Sequence, residues 1–433
     1  MFGFYRVATC SPVVKVADTE FNTARILELA EKAAAHSASV VLFPELAVTA
    51  YSCGDLFHNE TLLNAAEHAV SRIAEKSASL PSVFIVGAPV RRQNRLYNAA
   101  VVIQHGRLCG IVPKTNLPNY REFYEKRYFS SGYGIRNATA DFAGQTEIPF
   151  GTDLIFRSGS ELVFGIEICE DMWSTVPPSS YLALNGANLI LNPSASNELV
   201  GKADYRRELV RGQSARCVAA YAYVSAGVSE STMDTVCGGH SIAAENGTVL
   251  LDSERFSRED ALYVTDFDLA RIQGARLSDS PFANSAEMNP HTDYRILKLE
   301  PAPVPELKEI ERKVPRLPFV PSSDAARDER CQEIFAIQSA GLAKRIEHTH
   351  AEKAVIGISG GLDSTLALLV CVNTMKLIGR TPEDVLAITM PGFGTTGRTY
   401  NNAVNLCRLL GVELREIGIK DACMEHFRSI GHD

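Results

Sequence analysis

The chain has 433 residues and ten cysteines, yet no Cys-x-x-Cys pair and no Cys/His cluster at zinc spacing. The thiols stand far apart, at 10, 53, 109, 169, 217, 237, 331, 371, 407 and 423, so neither a structural zinc nor a disulfide framework is expected. Such usage suits a reduced cytoplasm, and each cysteine has to be weighed alone. No apolar run is long enough to span a bilayer. The opening Met1-Phe-Gly-Phe-Tyr-Arg-Val lacks the basic segment, long apolar core and small-residue cleavage site of a signal peptide, and reads as a first β-strand. Excess positive charge is missing as well: Lys+Arg total 43 against 51 Asp+Glu, a formal net charge of -8. Nucleic acid and anionic membrane are thereby disfavoured as main partners, and small molecules are the better expectation. Neither an internal repeat nor a low-complexity tract stands out.

What is present points to an α/β protein of two or three domains. Over residues 2 to about 270, apolar β-rich runs (6–8, 40–43, 83–87, 96–103, 162–168, 189–192, 221–226) alternate with amphipathic helical stretches (20–36, 62–79, 203–219). Runs 96–103 with 107–112, and 241–244 with 248–252, carry His105-Gly106 and Asn246-Gly247 between them and are expected as hairpins. This is a layered α/β domain, not a simple Rossmann repeat, and it is assigned to 1–280. Prolines at 301, 303, 305, 315, 318 and 321 among charged residues mark a linker, assigned to 281–323. From 324 to 433, helices and strands alternate as βαβ units of one parallel sheet. About three strands are visible, whereas such a sheet is normally buried on both faces, so the second domain is expected to be incomplete.

The run Val355-Ile-Gly-Ile-Ser-Gly-Gly-Leu-Asp-Ser-Thr365 passes from an apolar strand through paired glycines into a helix. Gly360 and Gly361 lack Cβ atoms, so backbone N–H groups can close on an anion while the helix points its positive end at the same place. Ser359 and Ser364 add hydroxyl donors. No lysine stands where a Walker loop requires one. Ser359 to Ser364 resembles the Ser-Gly-Gly-x-Asp-Ser signature of the PP-loop ATP pyrophosphatases, which implies ATP binding with release of pyrophosphate.

A second chemistry is suggested by Cys169, where the strand-like run from Leu162 gives way to Glu-Asp-Met-Trp173. Nucleophiles at strand ends are exposed by the turn, and the next N–H, that of Glu170, can help hold an oxyanion. A thiol of ordinary pKa about 8.5 needs a base or cation beside it. Taken alone, Cys169 is more often a small buried hydrophobe. Two further strand ends change the odds: Glu45 closes Val40-Val-Leu-Phe-Pro-Glu45 and Lys114 closes Gly110-Ile-Val-Pro-Lys114. Together Glu45, Lys114 and Cys169 resemble the Glu-Lys-Cys triad of the nitrilase superfamily, whose fold is a four-layer αββα sandwich. By that resemblance Glu45 is the general base, Lys114 stabilises thiolate and oxyanion, Cys169 carries the acyl group, and Glu122 orients the lysine and the substrate amide.

A nitrilase-like domain followed by a PP-loop domain resembles the glutamine-dependent NAD synthetase family. The runs Lys114-Thr-Asn-Leu-Pro-Asn-Tyr-Arg-Glu-Phe-Tyr-Glu, Cys169-Glu-Asp-Met-Trp and Met390-Pro-Gly-Phe-Gly-Thr-Thr-Gly add to the likeness. It implies that glutamine is hydrolysed at Cys169 and that ammonia passes through a tunnel to deamido-NAD adenylated by ATP. Tyr51, Tyr120, Phe123, Ser196 and Lys202 correspond to glutamine-site or tunnel-mouth positions, with core packing equally open for Tyr120 and Phe123. Lys202 stands where some relatives carry arginine, without the fork that grips a carboxylate. Ser359, Gly360, Gly361, Asp363 and Ser364 correspond to pyrophosphate contacts, Asp363 also to Mg²⁺, and Met390 and Thr395 to adenosine contacts, an ordinary βα loop being the alternative for these two. A homo-oligomer is implied, and the chain by itself is expected to hydrolyse glutamine without making NAD. The rival reading is a stand-alone nitrilase-type amidase with a vestigial nucleotide fold.

Overall fold

A computed structural model describes residues 3–289, 293–321 and 323–432. Met1 and Phe2 of the expected first strand, residues 290–292 and 322 of the expected linker, and the terminal Asp433 lie outside the described residues. The chain divides into two compact units, Met1–Lys313 and Val314–Asp433.

In the first unit, an eight-stranded sheet runs in the order Ala261–Asp268, Phe4–Ser11, Val40–Leu42, Val83–Arg92, Arg95–Gln104, Arg107–Pro113, Gln145–Phe150, Ala138–Phe142. A seven-stranded sheet runs Thr248–Asp252, Ser241–Glu245, Ala220–Ser225, Leu189–Ser194, Leu162–Ile166, Leu154–Ser158, Arg295–Leu299. Both expected hairpins form, and their turn residues are left-handed: His105 and Gly106 at φ 46 and 80, Asn246 and Gly247 at φ 43 and 82. That is the twist a two-residue hairpin loop needs.

Period-two alternation assigns each strand residue to a layer. Val41 and Phe84 face Ile26, Leu29, Val70 and Ile73 of helices Thr19–Ala35 and Glu60–Ser77. Their neighbours Val40, Leu42 and Ile85 point the other way, into a core shared with Phe156, Phe164, Leu189 and Leu191 of the second sheet. Ile190 and Tyr221 face Leu182 and Val210 of helices Pro178–Leu184 and Lys202–Arg216. The result is the αββα sandwich. Its central strands are apolar throughout because both their faces are covered, each enclosed large aliphatic side chain contributing about 1.5–3 kcal/mol.

The segment expected as a linker is folded over its first part. Ser280–Met288 is a helix capped by Asp279, and Arg295–Leu299 extends the second sheet in parallel with Leu154–Ser158. Arg295 clamps that edge through Asp153 at 2.8 and 2.9 Å. No proline stands between 291 and 300, so these five residues keep every ladder donor that a strand requires.

The second unit has three parallel strands, Ala354–Gly357, Val385–Thr389 and Glu413–Glu416, in sequential order. Helices Asp324–Thr349, Leu362–Leu377, Gly397–Leu410 and Lys420–Ile430 alternate with them, and Ile346, Leu368, Met375, Val385, Ala387 and Cys407 form the core. Val355, in the first of these strands, stays 63% exposed.

Candidate active site

Three strand ends deliver three reactive side chains. Glu45 follows Val40–Leu42, Lys114 follows Arg107–Pro113, and Cys169 opens a short 3-10 turn, Cys169–Trp173, beyond Leu162–Ile166. Lys114 is fully enclosed, its Nζ 2.6 Å from Glu45 Oε1 and 2.6 Å from Glu125 Oε1. Glu45 also accepts from Asn98 Nδ2 (2.6 Å) and from the Ala195 N–H (2.8 Å), while the Asn98 carbonyl takes the Lys114 N–H (2.8 Å). One asparagine thus fixes base and cation together. Burial works against the ammonium, but Glu125 and Glu45 outweigh it and hold Lys114 charged, its pKa well above the ordinary value.

Cys169 is buried and sits at φ 46, a left-handed backbone that a non-glycine residue adopts only when its surroundings enforce it. Its N–H donates to Asn192 Oδ1 (3.2 Å). Burial, then Glu45, push the thiol above its usual range, while Lys114 and the Ala195 N–H pull the other way. The sulfur therefore belongs to the same charge cluster. A thiol raised in this way would need a base to become a nucleophile, and Glu45 is the carboxylate that acts on it most strongly. Asp171 binds the turn to the lysine's strand end, accepting from the N–H groups of Ile168 (2.9 Å) and Asn116 (2.7 Å) and from Asn116 Nδ2 (2.9 Å).

The structure corrects one expected role. Glu122 does not reach Lys114; its Oε1 accepts from Asn197 Nδ2 at 2.5 Å. The lysine's second carboxylate is Glu125, which also accepts from the Tyr51 hydroxyl (2.8 Å). The two stand three positions apart, and burial distinguishes them: Glu125 is 4% exposed, raised above the usual carboxylate range by desolvation against the pull of Lys114. Its Oε2 is buried without a partner. Glu125 also helps line a small cleft of ≈ 70 Å³ together with Tyr51, Glu122, Phe123, Tyr128 and Met233. Sequence reasoning missed Glu125, Asn98 and Asp171; only Glu125 had a visible signal, as the last acid of the run from Lys114.

The other expected contacts gather around the same turn. Tyr120 is half exposed, which excludes core packing for it, and its hydroxyl donates to Glu170 Oε1 (2.7 Å). Lys202 donates to Asn197 Oδ1 and lies over the rings of Trp173 (5.1 Å) and Phe123 (5.8 Å). Desolvation lowers its pKa. Ser196 is buried, its N–H on Ser225 Oγ (3.0 Å) and its hydroxyl accepting from Arg206 (3.3 Å).

In the second unit the glycine loop joins the end of Ala354–Gly357 to the helix from Leu362. Gly360 has φ 79, and a Cβ there would collide with the Thr399 carbonyl oxygen, so both conformation and space demand glycine. Ser359 and Ser364 brace the loop, their hydroxyls 3.1 Å apart, with the Ser359 N–H on Ser364 Oγ (3.2 Å). Asp363 lies in the helix's first turn. Met390 is exposed and Thr395 Oγ1 accepts the Gly392 N–H (2.9 Å). Among the described residues no three His, Cys, Asp or Glu side chains gather as a ready metal site. One carboxylate beside a phosphate cradle nonetheless fits Mg²⁺, which is commonly held by one or two carboxylates, phosphate oxygens and water.

Comparison with known proteins agrees with this division. The chain is 40% identical over 434 residues to a glutamine-dependent NAD(+) synthetase of Mycobacterium bovis, covering 99% of this chain and 64% of that protein. The figures for the Mycobacterium leprae protein of the same description are 40%, 99% and 64%. The chain thus spans just under two thirds of the length of these relatives. A crystal structure of a glutamine-dependent NAD(+) synthetase from Cytophaga hutchinsonii shares the fold, with a TM-score of 0.54 at 21% identity over 99% of this chain and 67% of that one. The NAD synthase family model matches residues 334–432. The carbon-nitrogen hydrolase model matches residues 6–277, a span that holds all of the Glu45, Lys114, Glu125 and Cys169 cluster, and the chain belongs to the carbon-nitrogen hydrolase family.

Proposed function

We propose that the chain serves a glutamine-dependent NAD synthetase: in the whole enzyme Cys169 hydrolyses glutamine, and the ammonia attacks a carboxylate of deamido-NAD that ATP has adenylated, giving NAD, AMP, pyrophosphate and glutamate, whereas these 433 residues by themselves hydrolyse glutamine without making NAD. The observation that carries the reading is Lys114 clamped between Glu45 and Glu125 beside a strained cysteine. Glu45 takes the thiol proton as sulfur bonds to the amide carbon. Lys114 and the Glu170 N–H stabilise the oxyanion, and Glu125 Oε2 accepts from the amide nitrogen. The carbon–nitrogen bond breaks as Glu45 returns the proton to departing ammonia. Water, deprotonated by Glu45, then cleaves the thioester, releasing glutamate and restoring the thiol. Glu122 and Lys202 carry the opposite charges that the ammonium and carboxylate of an α-amino acid require.

In the second unit Ser359, Gly360, Gly361 and Ser364 would cradle the β and γ phosphates. Asp363 would hold Mg²⁺, which when bound offsets the charge of the departing pyrophosphate. Met390 and Thr395 border the adenosine. Cytoplasmic residence is supported by ten cysteines that are all free, and no helix among the described residues is long and apolar enough to cross a membrane. A homo-oligomer is the assembly we expect, to be read from sedimentation. The deciding experiment is alkylation with an electrophilic glutamine analogue followed by mass-spectrometric mapping. We expect one label, on Cys169, and no ammonia release from Cys169→Ala; a label elsewhere, or ammonia release by the variant, would overturn the reading.

A further inference from the structure

Behind the nucleophile runs a chain of buried polar groups that the acyl-transfer steps do not use. Asn192 Oδ1 accepts the Cys169 N–H (3.2 Å) and the Ser194 hydroxyl (2.7 Å), and Asn192 Nδ2 donates to Tyr221 Oη (3.0 Å). Tyr221 donates to Glu167 Oε1 (2.5 Å), whose other oxygen accepts the Ser179 N–H (2.7 Å). Asn192, Tyr221 and Glu167 are each no more than 1% exposed. They come from three neighbouring strands: Asn192 and Tyr221 lie in the parallel pair Leu189–Ser194 and Ala220–Ser225, and Glu167 follows Leu162–Ile166 directly. Polar groups this deep are costly unless every partner is present, so the chain holds its members to one arrangement.

That arrangement decides which N–H groups face a substrate. A nucleophile's own N–H is a common oxyanion donor, but here it is spent on Asn192. We infer that Asn192 is a positioning residue for acyl transfer: backed by Tyr221 and Glu167, it holds Cys169 in its left-handed conformation with its N–H turned inward. The oxyanion is thereby assigned to the Glu170 N–H and Lys114. The inference rests on the glutaminase reading above, and goes beyond it in naming the groups that aim the turn.

The test separates oxyanion geometry from mere exposure of the thiol. Iodoacetamide alkylates sulfur by direct displacement at a saturated carbon and builds no oxyanion, whereas glutamine hydrolysis does. For N192A we expect kcat for glutamine to fall about 30- to 100-fold, approaching the effect of losing one oxyanion donor. KM and the rate of Cys169 alkylation should stay within about threefold, because neither depends on the oxyanion. Y221F, which loosens Asn192 without removing it, should lose about three- to tenfold in kcat, the equivalent of one neutral hydrogen bond. It carries the test should N192A fail to fold. Unchanged kcat in a folded variant, or turnover and alkylation falling in parallel, would overturn the positioning role. A wild-type chain whose Cys169 reacts with iodoacetamide but which, before any alkylation, releases no ammonia from glutamine would instead overturn the functional reading, and the positioning role with it.

Discussion

Glu122 and Glu125 stand on the same side of one cleft and face different partners. Glu125 is enclosed against Lys114 and Tyr51; Glu122 is only partly buried and meets the Asn197–Lys202 pair. Neutralising Glu125 removes a charge from Lys114, the proposed oxyanion stabiliser, and frees the Tyr51 hydroxyl. We therefore expect Glu125→Gln to lower kcat for glutamine hydrolysis about 10²-fold or more, with little change in KM. On the proposal that Glu122 meets the amino-acid head group, Glu122→Gln should raise KM about tenfold, roughly one charge-assisted hydrogen bond, with kcat nearly intact. Steady-state kinetics of the two variants side by side check both. The opposite split would return Glu122 to the role first expected of it.

At the scale of elements, the site is assembled by strand ends, and that is why so much of it was legible. A glutamate, a lysine and a cysteine each close an apolar strand run, and closing residues of central strands emerge together at one edge of a sandwich. Glu125 was visible as the last acid of the run from Lys114 but could not be singled out, for the converse reason. It lies in an irregular, aromatic-rich stretch where two glutamates three apart look alike, and only the hydrogen bonds from Lys114 and Tyr51 select one. Two outer strands, one beside a sheet edge and one at an edge, escaped on similar grounds. Gln145–Phe150 contains a proline and mixes polar with apolar residues, and Arg295–Leu299 is followed by the proline cluster that disguised it as a linker. The glycine loop, in contrast, announced itself, because strand, paired glycines and helix are contiguous. Gly360→Ala tests that reading: strain at φ 79 and collision with Thr399 should displace the loop, abolishing ATP binding by calorimetry. The cost to the second unit's stability should be about 1–3 kcal/mol, while glutamine hydrolysis in the first unit continues.

For the molecule as a whole, the buried carboxyls set how stability responds to pH. Glu167, Glu125, Glu230 and Asp171 all lie inside the first unit, and burial raises each of them. Glu167 is pushed up to about 7 from an ordinary value of 4.5. A carboxyl whose folded pKa exceeds its unfolded one binds more protons in the native state between those two values. The stability it contributes is complete below about pH 4.5 and is lost as pH rises through about 7. Asp55, Asp252 and His240 in the same unit are shifted down and act in the opposite sense, but the two aspartates are largely solvent-exposed and screened, and His240 is one buried group against four buried carboxyls, which therefore dominate. The first unit should accordingly weaken from pH 5 to pH 8. The chain's only tryptophan, Trp173, sits in that unit beside Tyr205, so its fluorescence follows urea unfolding there selectively. Glu167→Gln cannot ionise. It should be destabilised by a constant amount for want of one matched partner, and its loss between pH 5 and pH 8 should be smaller than the wild type's by about 1–3 kcal/mol. An equal pH slope in the two proteins would mean that Glu167 is already ionised at pH 5, and that the Tyr221 hydroxyl and Ser179 N–H outweigh its burial.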